Sequence, residues 1–254
     1  MMILRKYFIN NIIKYMKYLI IIFSLLFNSL SISKDIYFKD LLKKDGIFYE
    51  KFSDTPFTGK VTGLLEGTFK KGMKYGEFIK YYSDGKILSK ISYFENRLDG
   101  SWMEYYRNGN LLRKKIFKND LLEGEYIDYY SFGQILSIRF YVKNKLEGIY
   151  KEFYKNGQLH IKKNYKNNIL EGEYIVYHEY EFEPVVQIKS KKYYKNGKIE
   201  GKFVGFDENG NKIKEGFYKE GKLEGELLNY NKYGKVLSKI IYKDGLLTEI
   251  IKNK

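Results

Sequence analysis

Residues 76–147 read GEFIKYYSDGKILSKISYFENRLD, GSWMEYYRNGNLLRKKIFKNDLLE and GEYIDYYSFGQILSIRFYVKNKLE, three lines of 24 residues that lie on one another without a gap. Gly76, Gly100, Gly124, Gly148 and Gly172 stand 24 residues apart; Gly201 follows after 29 and Gly225 after 24 more. A second series, Gly85, Gly109, Gly133, Gly157, Gly210 and Gly234, keeps the same register. A fixed period of this size marks a repeat architecture, in which each unit buries its apolar side only by stacking on its neighbours.

Within a unit, a short aromatic segment (GEFIKYY, GSWMEYY, GEYIDYY, GIYKEFY) leads to a turn such as Ser83-Asp84-Gly85 or Arg107-Asn108-Gly109. Asp-Gly and Asn-Gly tolerate positive φ and favour hairpin turns. A second segment follows (KILSKISYF, NLLRKKIF, QILSIRFYV), closed by a polar stretch such as Glu95-Asn96-Arg97-Leu98-Asp99-Gly100. Each unit is therefore two strands and two turns. A glycine every 9 to 15 residues would cost a helix about 1 kcal/mol apiece. The six glycines of the second series are assigned as turn glycines, and Gly197 is read as part of a looser second turn in an irregular unit.

Three aromatic columns run through the repeats: Phe78, Trp102, Tyr126, Tyr150, Tyr174 and Phe203; Tyr81, Tyr105, Tyr129, Phe153, Tyr177, Phe206 and Tyr230; and Tyr93, Phe117, Tyr141, Tyr165, Tyr194, Tyr218 and Tyr242. The first two are three residues apart. Since side chains alternate along a strand, either both faces are partly apolar or a bulge resets the register. The position after the second column drifts from Tyr82, Tyr106, Tyr130 and Tyr154 to His178, Asp207 and Asn231, which is read as exposure.

Composition agrees with an all-β chain. The 254 residues include 27 Tyr and 18 Phe but only 2 Pro, and aromatics favour strands while proline cannot donate to a ladder. Zero cysteine excludes disulfides, thiolate metal sites and a lipidated cysteine. Residues 1–33 contain no acid, carry Arg5, Lys6, Lys14 and Lys17, and run apolar from Tyr18 to Ile32 before the small residues Ser31 and Ser33. That order is a secretory signal. The apolar run is short of the roughly 20 residues of a spanning helix; a retained anchor and a buried helix are the alternatives, and Met16 is a second candidate start. Removing the four positive charges takes the formal +15 to +11, which admits an anionic lipid surface as a partner but does not single it out, because Lys80, Lys86, Lys90 and Lys118 are spread along the repeats.

These repeats resemble the MORN-repeat variant family, whose pattern is roughly G-x-aromatic-x-x-Y-Y-x-N-G-x-L, then an aromatic, then a polar turn ending in glycine. The resemblance runs from Gly59 to the C-terminus, and Gly46-Ile47-Phe48-Tyr49-Glu50 leading to Pro56-Phe57-Thr58-Gly59 is similar to the opening hairpin of bacterial members. It implies an elongated single-layer antiparallel meander of hairpins, used for binding rather than catalysis. Some bacterial members are named as antitoxins or immunity proteins. The expected organisation is a signal peptide at 1–33, a capping hairpin and truncated first repeat at 34–75, and a repeat domain at 76–254 with an irregular insertion near 177–200, together about 14 to 16 strands. The insertion, YHEYEFEPVV from Tyr177 to Val186, adds five residues and loses the Asn-Gly turn.

Catalytic chemistry is sparse. His160 and His178 have no second histidine at metal spacing, so no metal site is expected. No G-x-S-x-G, phosphate loop or H-E-x-x-H occurs. Glu104, Asp128 and Glu152 recur in one column and are read as a solvated face rather than a pair of catalytic carboxylates. No catalytic residue, cofactor or small-molecule substrate is expected, and nucleic acid is not the expected partner of an exported chain. The expected partner is a protein, and the candidate binding surface is Trp102, Tyr105, Tyr129 and Tyr150: a single layer cannot bury all of its rings, and exposed Tyr and Trp are favoured at interfaces. The competing reading packs the same rings as core.

Overall fold

The computed structural model describes residues 36–180 and 186–252; the signal segment at 1–33 and the middle of the insertion lie outside the described residues. From Gly59–Thr62 to Leu246–Lys252, successive hairpin strands pair antiparallel in one open meander, the short pieces Lys198–Ile199 and Lys222–Leu223 pairing with the strand before them. At its start, Ile36–Tyr37 runs parallel to Gly59–Thr62, with Ile36 opposite Val61, which departs from the wholly antiparallel expectation. Among the described residues the sheet has twenty strands. Three of the strands beyond the expected number are the N-terminal segment that joins the sheet and the short pieces of two split strands, Lys198–Ile199 from Gly201–Phe206 and Lys222–Leu223 from Gly225–Tyr230. A separate hairpin, Leu41–Lys44 with Ile47–Glu50, stands outside the sheet.

The two ends of each unit use different turns. At one end, Tyr106 N–H donates to Asn110 O at 2.8 Å and Gly109 N–H to Tyr106 O at 2.9 Å, with Gly109 at φ +93°. At the other end two successive residues have positive φ: Asn119 and Asp120 at 48° and 65°, Asn167 and Asn168 at 50° and 69°, Asn196 and Gly197 at 50° and 78°. That is the two-residue hairpin turn whose twist matches the strands. The tighter turn is thus the one holding Gly197, the reverse of the sequence reading; the turns of the Gly109 series are the longer ones.

The column spacing puts the first two columns on opposite faces. Trp102 pairs with Lys115, Met103 with Lys114 and Glu104 with Arg113, after which the register shifts and Tyr105 pairs with Leu111. The extra residue sits on the partner strand, so 101–105 alternates without interruption. Trp102 and Tyr105 therefore face opposite sides, and both faces are partly apolar. A second shift falls at the glycine that opens each unit, as between Leu122 and Tyr126 around Gly124 at φ +106°.

Units are joined by a repeating set of side-chain bonds. The hydroxyls of Tyr82, Tyr106, Tyr130 and Tyr154 donate to the carbonyls of Tyr105, Tyr129, Phe153 and Tyr177 at 2.9–3.0 Å, each 23 residues on. His178 Nε2 takes the same role toward Phe206 O at 3.0 Å. These positions are half-buried donors rather than the exposed drift read from sequence. At the opposite turns, Asp120, Asn144 and Asn168 accept from the N–H of Leu98, Leu122 and Leu146 at 2.6–2.7 Å. Asp99, Glu123 and Glu147 accept from Asn119, Lys143 and Asn167. A net contribution of about 1 kcal/mol per bond makes the set a substantial part of what holds neighbouring units.

The buried core gathers at the N-terminal end: Ile36, Leu41, Phe48, Phe57, Val61, Phe69 and Phe78, with Phe38, Leu65 and Tyr93 packed against it. The extra hairpin is seated there by Phe48 N–H donating to Gly72 O at 2.9 Å. Gly72 is required for that approach, since a Cβ would lie 2.7 Å from the Phe48 carbonyl.

Candidate functional site: the two faces of the central repeats

The four candidate residues do not form one surface. Trp102 and Tyr150 stand on one face with Tyr126 and Tyr174; Tyr105 and Tyr129 stand on the other. We call these the Trp102 face and the Tyr105 face.

On the Trp102 face the first and third aromatic columns pair ring to ring. Centroids lie 5.7 Å apart for Trp102 and Phe117, 5.9 Å for Tyr126 and Tyr141, 6.4 Å for Tyr150 and Tyr165, and 5.7 Å for Tyr174 and Tyr194. Between successive first-column rings the register inserts a cation. Lys115 sits across from Trp102 and Tyr126, Arg139 from Tyr126, Lys163 from Tyr150 and Tyr174, and Lys192 from Tyr174. Lys115 Nζ is 4.5 Å from the Trp102 centroid, the Arg139 guanidinium 3.9 Å from that of Tyr126, and Lys163 Nζ 4.3 Å from that of Tyr150. Each such contact contributes about 0.5–1 kcal/mol at an exposed site, and the aliphatic stems cover ring area over which no second layer of described residues lies.

The acidic column beside this strip is not the solvated face read from sequence. Asp128 is 8% exposed, with Arg139 Nη2 at 2.6 Å, Arg113 Nε at 3.4 Å and the Ser137 hydroxyl donating at 3.3 Å. Glu104 is paired with Arg113 at 3.4 Å and Lys115 at 3.6 Å. Glu152 accepts from the Tyr150 hydroxyl at 2.9 Å and lies 3.4 Å from His160 Nδ1. Burial, and then that bond to Glu152, push the Tyr150 hydroxyl up to about 12. Glu104 and Asp128 hold Arg113, Lys115 and Arg139 in place.

The Tyr105 face is organised differently. The Tyr105 hydroxyl contacts Met103 Sδ at 3.6 Å, and burial followed by the charge of Glu125 pushes the Tyr129 hydroxyl up. Phe140, Ile149, Tyr193 and Phe217 are exposed here, but ion pairs interrupt them: Glu173 with Lys191, Glu226 with Lys239, and Glu215 with Lys202 and Lys212. The Tyr230 hydroxyl also bonds Glu215. Apolar residues exposed singly among charges are ordinary surface.

Gly85, Gly109, Gly133, Gly157, Gly210 and Gly234 all have φ between +78° and +99°. Among the described residues, no group of three or more His, Asp or Glu is placed to hold a metal ion. Sequence reasoning found the rings and missed the cations between them, whose signal was the substitution series Gly67, Ile91, Lys115, Arg139, Lys163, Lys192, Gly216, Ile240 at one repeat position.

Five of the hairpin units, residues 74–96, 98–119, 122–143, 146–167 and 199–220, match the model of the MORN repeat variant family. No curated protein matches the chain. The chain is a repeat-based structural or protein-binding module.

Proposed function

We propose that this chain, whose hairpin units belong to the MORN repeat variant family, is an exported, non-catalytic scaffold that holds a protein partner against the Trp102 face of its central repeats. One observation carries the reading. The same two ring columns that Phe38 and Phe48 cover in the first units, burying Phe69 and Phe78, run on through Trp102, Tyr126, Tyr150 and Tyr174 with no second layer over them among the described residues. Where this sheet is covered on that side, protein covers it, and the uncovered stretch is rigid, periodic and rich in the residue types of interface hot spots. Trp102 and Tyr150 stay in the proposed surface; Tyr105 and Tyr129 leave it. Export is supported by the charge and apolar order of residues 1–33.

Two measurements test the proposal. Fusing residues 1–33 to an alkaline phosphatase without its own signal should give enzyme activity outside the cytoplasm, and an inactive cytoplasmic fusion would refute export. A photo-crosslinking residue at position 150 should give a protein adduct in living cells where the same residue at position 105 gives none. Adducts from 105 alone would move the site to the other face.

A further inference from the structure

The cations of the Trp102 face recur once per unit. A unit spans two strand spacings, so successive cations are set about 9.6 Å apart along a line crossing the strands. Lys115, Arg139, Lys163 and Lys192 make three such steps, because the register carries Lys163, Tyr174 and Lys192 across the irregular unit without a break. Lys115 and Arg139 have carboxylate neighbours. Lys163 is held within 5.9 Å of three rings, Tyr150, Tyr165 and Tyr174, and neither it nor Lys192 makes an ion pair with a described residue. Aromatic platforms flank the line on both strands of each unit.

An occupant must match that period and charge. A β-strand repeats its side chains every two residues, about 6.6 Å, and falls out of step at once. The hairpin layer of the N-terminal cap lies where this repeat position is held by Gly67, at which a Cβ would meet the Phe78 ring at 2.4 Å, and not by a lysine. A polyproline II helix turns every three residues and rises about 9.3 Å per turn, which drifts from the cation spacing by only about 1 Å over the whole strip. Aromatic-lined grooves are the usual receptors of that conformation, whose low chain entropy favours binding. We infer that the strip takes an extended polyproline II segment of the partner protein, rich in proline and carrying a carboxylate at every third residue. This rests on the reading that a protein partner lies on the Trp102 face. Carboxylates in step with Lys163 and Lys192 supply counter-charges that no described residue gives them, and prolines between them rest on the tyrosine rings.

The test uses the full chain and a fluorescent (Glu-Pro-Pro)4 peptide, followed by anisotropy. Saturable binding is expected, at least tenfold tighter than to a peptide of the same composition with its four glutamates in one block, and absent for (Lys-Pro-Pro)4. Lys163→Gln with Lys192→Gln should weaken it at least tenfold. Lys163→Arg with Lys192→Arg, which keeps the charge on the rings, should retain it, and Lys162→Gln on the opposite face should leave it unchanged. Equal binding of the periodic and blocked peptides overturns the inference, as does binding that survives the double glutamine variant. A hyaluronate-like polysaccharide with one carboxylate per disaccharide, binding in a Lys163-dependent way where the peptide does not, also overturns it. If no peptide binds while the position-150 crosslink persists, the segment class fails and the docking face stands; if both fail, both readings fall.

Discussion

The first units and the central units are built on the same columns and finished in different ways. Around Phe69 and Phe78 the extra hairpin lays Phe38 and Phe48 over the sheet, with Phe48 5.0 Å from Phe69 and Phe69 5.2 Å from Phe78 in edge-on contact. Phe69 has no exposed surface. Around Tyr126 and Tyr150 the space above the rings is filled by lysine and arginine stems from the same sheet. A repeat can thus complete its apolar side with a second layer or with cations from its own strand. The first choice makes a core that carries stability; the second leaves a surface that is ordered yet reachable.

Four variants probe that contrast, in descending order of effect. Phe69→Ala should cost about 3–5 kcal/mol, the range for truncating a buried aromatic, whereas Tyr126→Ala should cost clearly less because part of its ring is already in water. Urea titration of both variants decides, and equal losses would erase the distinction. Next is Arg139→Ala, which leaves Asp128 in its buried site with Arg113 as the remaining cation; a loss of about 1.5–3 kcal/mol is expected for a bond to a charged group. Adding Asp128→Ala should recover part of that loss, and no recovery would show that the arginine acts by covering Tyr126 alone. Tyr106→Phe deletes one inter-unit bond, to Tyr129 O, for about 1 kcal/mol; if melting temperature does not move, the tyrosine series aligns units without holding them. Smallest is an effect of pH. The Tyr150 hydroxyl is raised from 10.0 to about 12, so its neutral form is the one favoured by folding. That contribution is complete below pH 10 and is lost as pH rises toward about 12. Ultraviolet titration of the folded chain should lose its latest tyrosine component in Tyr150→Phe, and an unchanged curve would contradict the shift.

The hairpins, their period and the ring columns were legible in the residues because glycine and aromatic spacing follow directly from strand and turn geometry. The faces were not. Which side Trp102 and Tyr105 take depends on bulges, and a bulge adds one residue opposite another without a mark in either strand alone. The tyrosines at 82, 106, 130 and 154 were misread because loss of a residue type at one repeat position looks like exposure, yet His178 preserves the donor when the ring changes. Glu104, Asp128 and Glu152 misled for a related reason: a periodic acid suggests solvent until the periodic cation beside it is placed by pairing. The parallel contact of Ile36 with Val61 had no local signal, since two residues are too few to show alternation.

The irregular unit alters the chain without altering the bonds across it. Tyr106 reaches a carbonyl 23 residues ahead, while His178 reaches Phe206 and Tyr180 reaches Glu208 at 28. Glu147 accepts from a residue 20 ahead, while Glu171 accepts from Asn196 at 25. Both intervals lengthen by five, the number of residues inserted. The segment between Tyr180 and Gln187 is thus a permissive site: foreign sequence placed there would extend the polypeptide while the described strands on either side kept their stacking order, and a fluorescent or affinity domain could be carried there without interrupting the scaffold.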